Sequence, residues 1–426
     1  MSDAAFPQEE VRSSRATRSA RNATAANADP GRGRGPDWLD DFLDRRLPEL
    51  IAIRRDIHAH PELSRAERRT TAVLAATLEG AGLPAHILPT GTGVTSDLGT
   101  GSGTGGSLIA LRADIDALPL REAADLPFRS LTPGVAHACG HDIHQTVVLG
   151  AGLALAGVPE LAGRIRLLFQ PAEELMPGGA RDLIAAGAMN GVEQIFAVHC
   201  EPKVPAGQVG LRVGPITSTA DQIEISVSGP GGHTSRPHLT ADVVNALGLL
   251  ITGLPLLLSR RLDPRAAAVL AWGSVHAGEA PNAIPQEGTL RGTLRLMRRE
   301  AWEGAEAIVA DIVAGLLAPT GVGYELHFQR GVPPVDNDPY ATALLRAGAL
   351  AGLGPDSVVD SEQSTGAEDF ADLLEHAPGA LARLGVWDGV SEQCDLHSAR
   401  FTADERSIAV GIRLLVHTVL AARQSA

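Results

Sequence analysis

The sequence predicts an α/β chain built on a mixed sheet, interrupted by an inserted ferredoxin-like domain. Three observations carry that expectation. Short apolar runs alternate with helical patterns up to about residue 216, the order changes to βαββαβ between about 217 and 332, and α/β character then returns. The expected divisions are a disordered tail over 1–36, a main domain whose first part is 37–216, an insert over 217–332, and the second part of the main domain over 333–426.

The tail is read from composition. VRSSRATRSARNATAANADPGRGRGP holds six Arg and a single acid among Ala, Ser and Gly, too few apolar residues to bury a core. It is Arg-rich and acid-poor like a transit peptide but lacks the apolar stretch of a secretory signal, so an unprocessed tail on a cytoplasmic protein is expected. From Asp37, DWLDDFLDRRLPELIAIRRDIHAHPEL and RAERRTTAVLAATLEGAGL carry apolar residues at helical spacing and predict two helices. HILPT, GVTSDLG, SLIALRAD, RIRLLFQP, QIFAVHC and GQVGLRV predict strands, with the Ala- and Leu-rich HQTVVLGAGLALAGV between two of them. GTGSGTGGS, at 99–107, reads as a flexible hairpin loop and matches no phosphate-binding glycine pattern.

In the insert, DQIEISVSG predicts a strand, ADVVNALGLLITGLPLLLSRR a helix, and AAAVLAWGSVHAG and GTLRGTLRLM two strands. EAWEGAEAIVADIVAGLLA and GYELHFQR complete it as helix and strand, the split βαβ order. Beyond PPVDNDP, helices are expected near 338–352 and 404–422.

A chain of 426 residues, 44% apolar and 20% charged, can bury a core and fill two domains. A formal charge of −14 disfavours nucleic acid and anionic membrane surfaces as partners, and no run is read as a membrane span. Small molecules are the expected ligands. Cys139, Cys200 and Cys394 are too few and too oddly numbered for a disulfide framework, which fits a reducing compartment.

HACGHDIH, 137–144, concentrates the chemistry. Gly and Ala around Cys139 and His141 leave little bulk for core packing, and unpartnered buried polar groups are costly. A Cys and His only two residues apart are unusual as nucleophile and base, which mostly meet from distant segments, yet that reading stays open. Thiolate and imidazole are good ligands for zinc and related ions, and a loop lets residues two apart face one ion. FQPAEE adds Glu173 and Glu174, QIFAVHC adds His199, and CDLHSARF adds His397, each at a predicted strand end or in a loop. Jointly they supply the S, N and O ligands of a hydrolytic metal site.

The chain resembles the M20 metallopeptidase superfamily, in its amidohydrolase branch of hippurate, N-acyl-amino-acid and auxin-conjugate hydrolases. The matching segments run in order: RRDIHAHPELS, ALRADIDALPL, HACGHDIH, FQPAEE, GGHTSRPH, PNAIP, STGAEDFA and LHSARF. The resemblance implies a metallohydrolase catalytic domain with an inserted lid and dimerisation domain. It implies Cys139, His141, Glu174, His199 and His397 as ligands of two divalent metal ions, zinc foremost, with manganese, nickel or cobalt as the others. Glu173 is the implied general base, and His233 reaches across a homodimer to the oxyanion. Asn282 and Arg291 are implied to hold the substrate, with Arg295 a competitor for Arg291. Asp116 is implied to orient a ligand, with Asp114 as its competitor.

Asp142 and His144 are expected to order the loop, His58 and His60 to pack or cap outside the site, and Glu368 and Asp369 to wall a pocket, with Gly366 and Asp369 equally readable as turn and helix-cap residues. Gln145 and Ala399 depart from the family pattern without removing a ligand. The implied activity is hydrolysis of small amides such as N-acyl-amino acids, with dipeptidase or carboxypeptidase action, or a silent metal-binding homologue, as the competing readings.

Overall fold

The structure, a computed structural model, describes residues 29–99, 107–158 and 163–424. The hairpin-loop expectation falls mostly on 100–106, and the tail expectation on 1–28, outside the described residues. In chain order the first elements are α1 (Asp37–Ala59), α2 (Arg68–Gly80), β1 (His86–Ile87), β2 (Val94–Leu98), β3 (Leu108–Asp114) and α3 (His141–Ala156). β4 (Arg164–Gln170), α4 (Ala180–Ala185), β5 (Val192–Pro205), β6 (Val209–Leu211) and β7 (Gly214–Pro215) follow. Then come β8 (Asp221–Ser228), β9 (Gly232–His233), α5 (Val243–Arg261), β10 (Val269–Ala277), β11 (Ala283–Ile284) and β12 (Glu287–Arg295). The remainder is α6 (Arg299–Leu317), β13 (Gly323–Gln329), β14 (Asp336–Asn337), α7 (Pro339–Leu353), β15 (Val358–Asp360), α8 (Phe370–Leu374), β16 (Gly379–Trp387) and α9 (Arg406–Gln424).

Two compact units form. The first holds the described residues up to Leu211, Pro339–Ser361 and those from Ala377 on. Its eight-stranded sheet has the order β1-β2-β4-β3-β5-β16-β6-β15. β3 runs parallel to β4 and β5, and β5 parallel to β16, whereas β2 is antiparallel to β4 and β16 to β6, so the sheet is mixed. Every residue of β3 is buried, as a central parallel strand requires. α3 is buried from His141 to Leu155 and packs on α1 and α9, which explains an apolar helix with no solvent face.

The second unit holds Arg212–Asp338 and Glu362–His376. Its sheet order is β10-β12-β8-β13, antiparallel throughout, and the chain visits it as strand, helix, two strands, helix, strand. Ile223, Ile225 and Val227 of β8 pack with Leu247, Leu250 and Leu254 of α5 and with Val309 and Val313 of α6.

Three expectations change. The tail does not extend to residue 36: Asp29 pairs with the buried Arg413 of α9 at 2.7 Å, Gly35 O accepts from His417 Nε2 at 2.8 Å, and 29–36 lies along the first unit. A cation inside a helix bundle demands that partner, and composition alone does not reveal the demand. The stretch 362–376 does not stay with the main domain but joins the second unit. Gln363 Nε2 donates to Thr217 O and Met297 O, both at 2.9 Å, and Arg299 pairs with Glu375. Finally, one helix among the described residues, α5, is long and apolar enough by composition to cross a membrane. It buries Val243, Ala246, Leu247, Leu250, Leu254 and Leu258 in the second unit's core.

Candidate metal centre

β3, β4 and β5 bring the chemistry to one place in the first unit. Asp114 closes β3 and Asp116 follows it, Glu173 and Glu174 follow β4, and His199 lies in β5. His199 is not at a strand end as expected, because β5 runs on to Pro205. It nevertheless lies past Ala197, the last β5 residue paired with β3. Nor are Cys139 and His141 both in a loop: His141 is the first residue of α3. Gly140 between them has φ +84°, and a Cβ there would meet Cys200 Sγ at 2.5 Å, so only glycine fits this turn.

Cys139 Sγ lies 3.7 Å from His199 Nε2. His141 Nε2 lies 3.8 Å from Glu174 Oε1 and 3.9 Å from Glu173 Oε2, and His397 Nε2 lies 3.1 Å from Glu174 Oε1. Cys139, His141 and His199 form one group whose donor atoms all lie within 4.8 Å of one another, and Cys139, Glu174 and His397 form another, sharing the thiol. The backs of the rings are tied off. His141 Nδ1 donates to Asp116 O at 2.9 Å and His199 Nδ1 to Cys200 O at 2.9 Å, which turns each Nε2 toward the other candidate donors. His141 Nε2 is buried without a hydrogen-bond partner, a position that the surrounding carboxylates hold for positive charge, whether a proton or a cation that replaces it. His144 is different: its Nδ1 meets Asp114 Oδ1 at 2.6 Å and its Nε2 accepts from Cys200 N at 2.8 Å, so no lone pair is spare.

The electrostatics call for positive charge. Burial opposes a charged His141 ring, but Asp114, Asp116 and Glu174 prevail and push its pKa up to about 10. Burial and the Glu174 and Glu173 charges hold the Cys139 thiol well above its usual range. Burial, with Arg383 and His144 adding to it, keeps His199 neutral. The hydrogen bond to Glu174 raises His397. A set of thiol, imidazole and carboxylate donors, buried at Cys139, His141 and His199 and open to solvent at His397, fits a divalent cation of the zinc class rather than magnesium or calcium.

Asp116 is the hub. Its carboxylate lies 3.3 Å from His141 Nδ1 and accepts from Glu173 N at 3.1 Å, Glu174 N at 3.0 Å and Ser64 Oγ at 2.6 Å. The competing Asp114 instead pairs with Arg112 at 2.9 Å and with His144. Sequence reasoning missed Ser64 and Glu67. Glu67 accepts from Ala172 N at 2.8 Å and so holds the turn before the Glu pair, where Ala172 has φ +54°. The only signal for them was their position in and after the PELS motif. Ala172 and His397, at φ +61°, carry left-handed backbone that costs non-glycine residues about 1 to 2 kcal/mol each, and both adjoin or supply the donors.

His233 and Asn282 belong to the second unit. β9 pairs with β11, placing His233 opposite Ala283, and Thr234 N donates to Asn282 O at 3.2 Å. Both residues are exposed. Ser235 N donates to His233 Nδ1 at 3.1 Å, so the ring proton sits on Nε2. Arg291 is not gathered with them: it lies midway along β12 in an ion pair with Glu224 at 3.1 Å. Arg295 donates to Thr365 O at 3.0 Å. Glu368 and Asp369 are buried, Glu368 Oε1 accepting from Phe370 N at 3.0 Å, while Asp369 precedes α8 without capping it.

Residues 110–421 match the model of peptidase family M20/M25/M40. A Rhodococcus jostii (strain RHA1) protein named for a glutamate–cysteine ligase is 50% identical over 380 residues, 89% of this chain, and the chain spans 47% of its length. N-acetylcysteine deacetylase of Bacillus subtilis (strain 168) is 37% identical over 364 residues, covering 85% of this chain and 93% of that protein. The crystal structure of Bacillus subtilis YXEP, described as a dinuclear metal binding peptidase from the M20 family, superposes with a TM-score of 0.78. It is 34% identical, with 90% of this chain and 100% of that chain covered.

Proposed function

This chain belongs to peptidase family M20/M25/M40 and is a hydrolase of that family, and we propose that it cleaves the amide bond of N-acyl-amino acids or related small amides. One observation carries the reading: Cys139, His141, Glu174, His199 and His397 converge in two donor groups that share one thiol, with Glu173 beside them. The groups suit two adjacent divalent cations, zinc foremost. When bound, these would polarise the amide carbonyl and acidify a water. Glu173 takes the proton of the attacking water at its carboxylate and returns it to the departing amine. Asp116 fixes the His141 ring and, through two backbone amides, holds the turn from which Glu173 and Glu174 both reach toward His141 Nε2. A silent metal binder would need no such base.

The second unit is read as a ferredoxin-like lid and dimerisation domain. The βαββαβ order, the unpaired edge of β10 with Val269 and Val275 exposed, and the exposed Leu256 and Leu257 of α5 support it. His233 Nε2–H then donates to the oxyanion in the partner protomer, and Asn282 holds the substrate. The ion pair with Glu224 engages Arg291, leaving its substrate contact to depend on release of that pair. The free cysteines suit the cytoplasm.

The test is a panel of acyl-amino acids assayed with metal, after chelation, and after metal is restored. Activity should vanish and return; full activity in a metal-free preparation refutes the reading. Mixed dimers of His233→Ala and Glu173→Gln chains, each nearly inactive alone, should recover up to about half the wild-type rate per heterodimer. Verified heterodimers that stay inactive remove His233 from the partner's site.

A further inference from the structure

We infer that His58, which touches none of the candidate metal donors, is a positioning residue that links the first turn of α3 to the stretch 115–140, the segments that carry His141 and Cys139. The inference rests on the metal reading above. His58 ends α1 with only 3% of its surface exposed. Its Nδ1 meets Asp142 Oδ2 at 2.8 Å, and its Nε2 meets Glu122 Oε1 at 3.0 Å. Asp142 is the neighbour of His141 in the first turn of α3, and Glu122 lies in the stretch 115–140 that leads to Cys139.

That stretch is a frame for the rest of the centre. Its Ala138 O accepts from His397 N at 2.8 Å, and its Ala123 N donates to Ala399 O at 2.7 Å, so the backbone on both sides of His397 hangs from it. His397 sits in left-handed backbone at φ +61°, a conformation that persists only where the surroundings impose it. The frame is attached to α1 by Leu131 N, which donates to Ala59 O at 2.8 Å, by Glu122, which bonds His58, and by Phe128, which packs edge-on to the His58 ring at 5.3 Å and against the Arg54 and Arg55 guanidiniums at 4.8 and 5.1 Å. Glu122 also accepts from Ser130 N at 2.6 Å, closing the loop onto itself. Arg54 holds Asp142 independently at 2.7 Å, so the first turn of α3 keeps an anchor without His58. His58 supplies a second bond from that turn to the frame, from Asp142 to Glu122, beside the one that His141 Nδ1 makes to Asp116 O. Two carboxylates facing its two nitrogens make both of them donors, and the ring carries its charge to a higher pH than a free histidine, burial notwithstanding.

The probe is Co²⁺ added to metal-free protein, read by the thiolate-to-cobalt absorption band, the intensity of the ligand-field bands and affinity against a competing chelator. His58→Ala and Glu122→Gln should each weaken Co²⁺ binding by about 10- to 100-fold and alter the ligand-field bands. Because both act through one link, the double variant should bind no worse than the weaker single variant. His58→Gln, which can donate to one carboxylate, should fall between, and it serves where the alanine variant does not fold. If wild type shows the thiolate band and the variants match its affinity and spectrum, His58 only stabilises the fold and the inference fails alone. Additive losses in the double variant also overturn it. A wild type with no thiolate band overturns the metal reading and this inference together.

Discussion

The two units bury different things. The first places Arg54, Arg112, Asp114, Asp116, Asp142 and Arg413 at 1% exposure or less, each charge met by an opposite one. Among the described residues of the second, the buried ionisable groups are Asp221, Glu368 and Asp369, and the core is aliphatic. Its candidate functional residues, His233 in β9 and Asn282 just before β11, are exposed. The difference teaches where preorganisation is needed. Cys139, His141 and His199, which would hold a cation at fixed positions, sit in or beside a buried lattice of charge pairs, whereas a group that meets the substrate from outside can stand on the surface.

The largest effect that sharpens this contrast lies in the buried lattice. Glu173→Gln should lower turnover by about 10²-fold or more while elemental analysis finds the metals retained, and Glu174→Ala should lose metal instead. The reverse pattern in the metal analysis would mean the two carboxylates have been assigned the wrong way round. Next comes the aliphatic core. Leu250→Ala should destabilise the second unit by about 2 to 5 kcal/mol in denaturant unfolding, with metal content unchanged. A parallel loss of metal would show that the units do not divide the work.

A smaller cost is expected where 29–36 meets α9. Asp29→Ala leaves Arg413 with Asp40 alone, and about 1 to 3 kcal/mol should be lost from the first unit. An unchanged unfolding midpoint would make the N-terminal stretch dispensable. The smallest effect concerns pH. Burial lowers the pKa of His417 below 6.5, so its contribution is complete above that value and is lost as pH falls through the folded value. Burial raises Asp221 above 3.8, so its contribution is greatest below that value and is lost as pH rises through the folded one. Mild acidification should therefore weaken the first unit through His417, and His417→Gln should flatten that slope. An identical slope in the variant removes the effect.

The candidate donors were legible because their chemistry is local: a thiol, imidazoles and carboxylates in short ordered motifs leave few alternatives. The hub role of Asp116 was legible only by resemblance. Ser64 and Glu67 were not, since a serine and a glutamate in a polar stretch look like ordinary surface until their partners, 52 and 105 residues away in sequence, are known. Arg291 against Arg295 could not be decided from TLRGTLRLM, where both residues have the same local pattern. The register of β12 against β8 puts Arg291 opposite Glu224, with which it forms an ion pair.

The sequence by itself determined the alternation of elements, the insertion of one unit into another and the set of candidate donors, because hydrophobic period and side-chain chemistry are written residue by residue. Tertiary structure decided which histidines turn a nitrogen toward the candidate donors. His141, His144 and His199 are alike as letters, yet a carbonyl behind His141 and His199 turns one nitrogen of each that way, and Asp114 with the Cys200 amide occupies both of His144. It also decided that Asp29 belongs to the fold, because the buried cation that needs it lies 384 residues away. Hydrogen bonds and charge pairs depend on distance in space, and the chain sets that distance only when it closes on itself.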